Sequence, residues 1–171
     1  MAEATVIYAA EGGVARITLN RPQSLNSFTR QMHQELWAAL DQAEADASVR
    51  VVVLAASGRA FCAGHDLKEM RAEPSAAYYQ ALFAACGKVM MSLQKLPVPV
   101  IARVHGIATA AGCQLVGMCD LAVAVRSARF AVSGVNLGLF CATPSVALSR
   151  NVGRKNAFEM LVTGNFISAD E

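Results

Sequence analysis

Charged side chains are scarce in this chain of 171 residues, since only 16% of them are Asp, Glu, Lys or Arg while 54% are apolar. Globular domains usually carry about a quarter charged residues. The shortfall predicts faces that are buried against a partner subunit or against a further part of the same protein. The net charge is only +2, which gives no electrostatic case for nucleic-acid or membrane binding.

Long apolar runs are also lacking, and no stretch is long enough to span a bilayer. The first residues, 1–6, have neither a basic segment nor an apolar signal core, so we expect a soluble, cytoplasmic protein. The five cysteines include no C-x-x-C pair, so no metal site is predicted. Buried free thiols in a reducing compartment are the expectation. Phosphate-loop, dinucleotide-binding, zinc-protease and serine-hydrolase motifs are all missing.

Apolar periodicity predicts a single α/β domain in the order β-β-α-β-α-β-α-β-β-α-α. Two continuous apolar runs, 51–56 and 100–104, are typical of strands covered on both faces. The other predicted elements are a hairpin of 5–8 with 14–19, strands at 121–125 and 129–132, and helices at 29–46, after Asp66, and at 75–96, 109–118, 144–151 and 155–163. The final residues Ser168–Glu171 form a capping-box pattern. We therefore expect the natural protein to continue into a helical segment.

Two segments that follow the buried strands are the candidates for chemistry. They are Arg59–Met70 and His105–Leu115, and ligand sites of open α/β sheets gather at the carboxyl ends of strands. Ala111 and Gly112 stand where a helix is expected to begin, so their free amides could form an oxyanion hole. The alternative is that small residues here only permit tight helix–strand packing, and composition alone leaves both readings open.

Five motifs occur in the order and spacing typical of one family: Asn20–Asn26, Arg59–Met70, His105–Cys113, Met118–Asp120 and Thr163–Ser168. With them, nearly the whole chain resembles the crotonase superfamily, also called the enoyl-CoA hydratase/isomerase family.

The resemblance implies a spiral of β-β-α units, with residues 1–171 forming an N-terminal acyl-CoA-binding core that lacks the helical C-terminal region. The ligand would be an acyl-CoA thioester, with coenzyme A present only as part of the substrate and with no other cofactor. The assembly would be a homotrimer or a dimer of trimers. The backbone amides of Ala63 and Ala111 would bind the thioester oxygen, and Ala63, Gly64, His65, Asp66, Ala111 and Gly112 would line the substrate site.

Two positions depart from the family pattern. Hydratases use two glutamates, but the matching residues here are Gln114 and Gly134. An amide takes up no proton near neutral pH, although it can orient a water, and glycine has no side chain. Efficient hydration and a simple double-bond shift therefore both lose their expected base.

Other residues could substitute for the missing base or bind the coenzyme A phosphates. His65 is a candidate base or phosphate ligand, with a partly exposed loop histidine as the alternative. Asp66 is expected to cap a helix and Glu69 to face solvent. His105 is expected to satisfy backbone groups, and Asp120 to anchor a turn at the start of a strand. The other assignments are Asn136 and Cys141 (an active-site wall), Cys62 (an unactivated thiol), and Arg21, Lys68 and Arg71 (phosphate ligands or ordinary solvated charges).

Three functions follow from these readings. The first is a CoA-thioester enzyme that uses only the oxyanion hole, as thioester hydrolysis or decarboxylation would. The second is a non-catalytic acyl-CoA-binding or regulatory partner. The third is a serine hydrolase on the related Clp-protease fold, for which His65, His105 and Ser133 make an unpersuasive set by spacing.

Overall fold

The part of the chain that the structure describes contains eight strands and six α-helices. The structure, a computed structural model, describes residues 4–171. The strands are β1 Val6–Glu11, β2 Val14–Leu19, β3 Val51–Ala56, β4 Val100–Val104, β5 Ile107–Thr109, β6 Leu121–Ala124, β7 Arg129–Ala131 and β8 Ile167–Ser168. The helices are α1 Arg30–Ala45, α2 Leu67–Ala72, α3 Ala76–Lys95, α4 Ala111–Gly117, α5 Ala142–Asn151 and α6 Arg154–Thr163. The predicted α/β class is confirmed.

The larger sheet has the strand order β1-β2-β3-β4-β6. β1 and β2 form the predicted antiparallel hairpin around Gly12 and Gly13, which both have positive φ. β2, β3, β4 and β6 run parallel. The carboxyl ends of β3 and β4 therefore lie at one edge, and the two segments predicted to carry chemistry start there.

A smaller sheet stands beyond that edge, in the order β5-β7-β8. Neither β5 nor β8 was predicted, because two- and three-residue strands leave no periodic signal. The helix expected at 109–118 begins only at Ala111, since Thr109 belongs to β5 and Ala110 has a φ of +51°.

The helices cover the larger sheet. Thr29 caps α1 by accepting a hydrogen bond from the amide of Met32 at 3.2 Å, and Ser75 caps α3 by accepting from Tyr78 at 3.1 Å. α1 packs against α3 and the first two strands. The main core joins these helices to the strands, and a smaller apolar cluster lies around α5 and α6.

Large apolar side chains remain exposed at several places, and two groups of them are close together in sequence. β6 exposes Leu121 and Val123, and the segment before α5 exposes Leu137, Leu139 and Phe140. These surfaces agree with the low charge content, which predicted faces covered by a partner or by a further part of the protein. Among residues 4–171 no helix is both long and apolar enough to cross a membrane. The predicted lack of a leader also concerns residues 1–3, which lie outside the described range.

Candidate acyl-thioester site

Backbone hydrogen bonds hold the two loops that follow β3 and β4 side by side. The amides of Phe61 and Cys62 donate to the carbonyl of Ile107 at 2.9 and 3.1 Å, and the amide of Thr109 donates to the carbonyl of Cys62 at 2.9 Å. The start of α4 is thereby fixed against residues 62–65. The sequence prediction that these two segments form one site is consistent with this arrangement.

The backbone amide of Ala63, which was predicted to form half of an oxyanion hole, already makes a hydrogen bond within the protein. It donates to the carbonyl of Leu25 at 3.0 Å, so the structure does not support Ala63 as a donor to a thioester oxygen. Sequence spacing could not show that this amide is engaged, because its partner lies in a turn 38 positions earlier in the chain.

His65 supplies the free amide instead. Phe28 forms a parallel bridge with His65, in which the amide of Phe28 donates to Gly64 and the amide of Asp66 donates to Phe28, each at 2.8 Å. In a parallel bridge of this kind the residue between the two bonded positions, here His65, directs its own N–H away from the bridge partner. Within residues 4–171, the amides of His65 and Ala111 donate to no other group.

Two glycines bring these amides together. A Cβ on Gly64, which has a φ of +90°, would lie 2.9 Å from the Cβ of Ala110 and 3.5 Å from the amide nitrogen of Ala111. A Cβ on Gly112 would collide with the carbonyl of Cys62. Gly112 thus permits tight packing, which was the alternative reading for this segment. Ala111, by contrast, lines a cavity.

That cavity has a volume of about 460 Å³ and a mainly apolar wall. It is lined by Ala63, His65, Leu67, Met70, Phe83, Ala110, Ala111, Ser133, Gly134, Leu137, Leu139, Phe140, Cys141, Ala142, Thr143 and Pro144. None of these residues, in the part of the chain that the structure describes, carries a carboxylate. Phe83 and the apolar residues at 137–140 were missed by sequence reasoning, since exposed apolar side chains at a helix surface or in a loop give no distinctive pattern.

The two positions predicted to match the family's glutamates differ in their surroundings. Gln114 is only 6% exposed and does not line the cavity, and its side-chain oxygen accepts no hydrogen bond from any described residue. Gly134 does line the cavity, but a Cβ there would lie 2.6 Å from the carbonyl oxygen of Leu139 and 2.7 Å from the Sγ of Cys141. This loop conformation leaves no room for a side chain at 134.

His65 lies in an aromatic cluster but is itself partly exposed on the loop before α2, which agrees with its alternative reading as a partly exposed loop histidine. Its ring centroid lies 5.5 Å from that of His33 and 5.3 Å from that of Phe83. Burial lowers the pKa of His65 to about 4. Burial, and then the neighbouring His65, lower the pKa of His33 to about 3. Both imidazoles are therefore neutral at pH 7, and a base with so low a pKa takes up a proton poorly.

Asp66 and Arg21 are engaged with each other and not with the cavity. Asp66 accepts from the amides of Lys68 and Glu69 at 3.0 and 3.2 Å, which confirms its prediction as a helix cap. It also pairs with Arg21 at 3.1 Å. Burial alone would raise the pKa of Asp66, but hydrogen bonds from Glu69, Arg21 and Ser27 outweigh it and lower that pKa. Both side chains are engaged within the protein, and the substrate-binding role of Asp66 stays a prediction.

Glu69 was expected to face solvent, but its carboxylate accepts from the amide of Arg30 at 3.1 Å. His105 binds a backbone group as predicted, since its Nε2 lies 2.7 Å from the carbonyl oxygen of Gly58. Asp120, which was expected to anchor a turn, accepts from the amide of Val100 at 2.7 Å.

The remaining candidates separate in space. Cys141 lines the cavity, whereas the amide group of Asn136 faces the carbonyl of Gly164 at 3.5 Å. The hydroxyl of Ser133 pairs with that of Thr109 at 2.9 Å and not with an imidazole, which removes support from the serine-hydrolase reading. Lys68 and Arg71 are exposed, so phosphate binding by them remains a prediction.

The five cysteines are free thiols, as expected, and three of them are buried. Burial raises the pKa of Cys62 to about 12 and also raises that of Cys141. Neither thiol is activated as a nucleophile.

An α/β core with two unengaged amides beside a mainly apolar cavity defines the class of protein, and comparison with known proteins gives the family. Residues 9–171 match the enoyl-CoA hydratase/isomerase family, and the chain belongs to it.

Solved relatives share the fold. A crystal structure of an enoyl-CoA hydratase from Mycobacterium smegmatis superposes with a TM-score of 0.96 at 67% identity, over 98% of this chain and 66% of that one. Human enoyl-CoA hydratase domain-containing protein 3 superposes with a TM-score of 0.94 at 45% identity, over 98% of this chain and 66% of that one.

The mitochondrial enoyl-CoA hydratase domain-containing protein 3 of Xenopus laevis is 51% identical over 161 residues, which are 94% of this chain and 55% of that protein. The chain thus spans about half the length of the curated relatives of this kind. The cytoplasmic location inferred from the sequence stays a prediction, since the word mitochondrial belongs to the relatives' names.

Proposed function

We propose that this chain binds an acyl-CoA thioester in the 460 Å³ cavity, with the thioester oxygen between the amides of His65 and Ala111. The observation that carries the proposal is this pair of unengaged amides at the wall of an apolar cavity without a carboxylate. Preorganised amides that face a developing oxyanion contribute about 3 kcal/mol each to transition-state stabilisation. Polarisation of a thioester therefore needs no further group from this chain.

Hydration of an enoyl thioester needs a base as well. The titratable side chains at the cavity wall are His65, whose pKa is about 4, and Cys141, whose pKa is raised by burial. Neither replaces a carboxylate pair, so we propose that hydration and double-bond shift are weak. Reactions that rely on thioester polarisation alone, such as hydrolysis or decarboxylation, remain open to this site.

The test is to mix the protein with crotonyl-CoA, follow the conjugated enoyl absorbance, and titrate binding in parallel. We expect saturable binding with little loss of absorbance. Rapid conversion to 3-hydroxyacyl-CoA would refute the argument from the missing carboxylates. Release of free thiol or of carbon dioxide, measured with acetyl-CoA and malonyl-CoA, would identify the reaction that the site supports.

A matched pair of variants ties binding to the cavity. Ala111→Leu adds bulk at a buried cavity-lining residue, whereas Ala45→Leu adds the same bulk at the exposed end of α1. We expect Ala111→Leu to weaken acyl-CoA binding at least tenfold and Ala45→Leu to leave it unchanged. Equal affinity of both variants for acyl-CoA would show that the ligand does not bind in this cavity.

A non-catalytic acyl-CoA-binding role is the second candidate. It is favoured by the loop at Gly134, which is closed by Leu139 and Cys141 where a catalytic side chain would stand. It predicts binding without turnover of any thioester tested, and specific turnover that Ala111→Leu abolishes would exclude it.

We also propose that copies of the chain assemble, as trimers or pairs of trimers, through the exposed apolar surfaces of β6 and residues 137–140. The molar mass in solution, measured by light scattering, tests this, and a strictly monomeric protein would contradict it.

A further inference from the structure

Three potential metal ligands meet beside the cavity. His33 comes from α1, Cys86 from α3, and His65 from the loop before α2. One ligand atom from each lies within 4.8 Å of the other two. The three residues are 21 or more positions apart in sequence, so only the packing of α1 against α3 brings them together.

These side chains leave polar atoms buried without partners. Both ring nitrogens of His33 and Nε2 of His65 make no hydrogen bond to any described residue. His33 is 1% exposed and Cys86 is 2% exposed. A buried polar atom without a partner costs about 1–3 kcal/mol, so a ligand that binds one nitrogen of each imidazole would remove two of these three costs.

The distances suit a metal ion after a small contraction. Three points no more than 4.8 Å apart have a common centre within about 2.8 Å of each, whereas zinc binds nitrogen at about 2.0–2.1 Å and thiolate sulfur at about 2.3 Å. Movements below about 1 Å by three side chains would close the site. Two imidazoles and one thiolate form a donor set that suits zinc.

We propose that His33, His65 and Cys86 form a zinc-binding site that joins α1, α3 and the His65 loop. Each imidazole gives one nitrogen lone pair to Zn²⁺. The Cys86 thiol binds as thiolate and releases its proton to solvent, and a water takes the fourth position. The backbone of His65 carries an amide of the proposed oxyanion hole, so the metal would also fix the position of that amide. The proposal rests on the side-chain cluster and stands whether or not the chain turns over a thioester.

The test uses the purified 171-residue chain, stripped with a chelator and titrated with Co²⁺ and then with Zn²⁺. Thiolate-bound Co²⁺ has a ligand-to-metal charge-transfer band in the near ultraviolet and d–d bands in the visible. We expect one equivalent of Co²⁺ to produce both sets of bands and one equivalent of Zn²⁺ to abolish them. We also expect zinc to raise the melting temperature in a concentration-dependent way.

Variants assign the bands to the cluster. Cys86→Ala should abolish the charge-transfer band and raise the zinc Kd at least a hundredfold, and His33→Leu should raise that Kd similarly. Cys119→Ala removes another poorly accessible thiol and should change neither the band nor the Kd. Circular dichroism of each metal-free variant checks that it is folded.

Two results would overturn the proposal. One is the absence of a charge-transfer band in the wild type with less than a tenth of an equivalent of zinc bound, as expected if water or nothing fills the cluster. The other is equal zinc affinity in Cys86→Ala and Cys119→Ala, which would assign the metal to a surface site.

Discussion

Replacement of Gly134 by alanine tests the loop that closes over the cavity. The added Cβ would lie 2.6 Å from the carbonyl oxygen of Leu139 and 2.7 Å from the sulfur of Cys141, whereas ordinary contacts begin at 3.4 Å. Relief requires a loop movement of about 0.8 Å, because the Leu139 oxygen belongs to the backbone and cannot rotate away. The amide of Leu139 also donates to the carbonyl of Gly134 at 3.0 Å, so this movement would strain a hydrogen-bonded turn.

Overpacking of this kind typically costs about 1–3 kcal/mol. For a chain of this size each kcal/mol corresponds to roughly 2–4 °C in Tm. We therefore expect Gly134→Ala to lower Tm by roughly 2–12 °C and to weaken acyl-CoA binding, since Gly134, Leu139 and Cys141 all line the cavity. Differential scanning calorimetry and a binding titration provide the two measurements.

Gly153→Ala is the matched control, since a Cβ there meets nothing within 4 Å and its φ of −52° suits any residue. It should change Tm by no more than about 1 °C. If Gly134→Ala has the same Tm as the control Gly153→Ala and binds acyl-CoA with the wild-type affinity, the loop does accept a side chain. Gly134→Glu would then be a reasonable way to install a base, which the present geometry argues against.

Two further changes test the scaffold. Gly87 lies inside α3, where a Cβ meets nothing within 4 Å, so Gly87→Ala should raise the free energy of unfolding by about 0.5–1 kcal/mol in urea titrations. Arg21→Met should lower the free energy of unfolding by about 2 kcal/mol at pH 7, since this substitution leaves the half-buried Asp66 carboxylate without its ion pair. The pKa of Asp66 is lowered in the folded state, so the difference from wild type should shrink as the pH falls below about 4, and a constant difference would contradict this account.

Elements with a strong local signal were predicted well from the sequence. The apolar runs at 51–56 and 100–104 correspond to β3 and β4 residue for residue, because strands covered on both faces need no alternation. Asp66 was predicted as a helix cap, because a cap is a local interaction between a side chain and amides two or three positions later. Thr29 and Ser75, with which two predicted helices began, are the capping residues of α1 and α3.

Contacts between distant segments were not predictable in this way. Which amide of 63–66 is free depends on the carbonyl of Leu25, a residue with a φ of +52° in a turn that no periodicity reveals. The meeting of His33 with His65 and Cys86 depends on the rotation of α1 against α3. The sequence predicted that Gln114 and Gly134 stand where relatives carry glutamates, but only the structure shows that Leu139 and Cys141 leave no room for a side chain at 134.

Asn26 is fully buried and connects the turn at residues 21–26 to the loop that follows β3. Its amide group donates to the carbonyls of Ser57 and Ala60, both at 2.8 Å, and its side-chain oxygen accepts from the amide of Arg21 at 2.7 Å. Asn26→Asp keeps the shape but replaces the two donated bonds by contacts between oxygens, at a cost of about 3 kcal/mol.

The pH dependence of Asn26→Asp distinguishes this mechanism from a general loss of packing. The introduced carboxyl is buried and faces two carbonyls, so its pKa is raised, and its protonated form can still donate one of the lost bonds. The folded state then binds the extra proton, so the stability deficit relative to wild type should be smaller at pH 5 than at pH 8. Asn156→Asp, on the exposed face of α6, should show no such difference. A stability deficit that is equal at both pH values would mean that Asn26 contributes shape alone. Some other contact of the turn would then hold residues 62–65 in place.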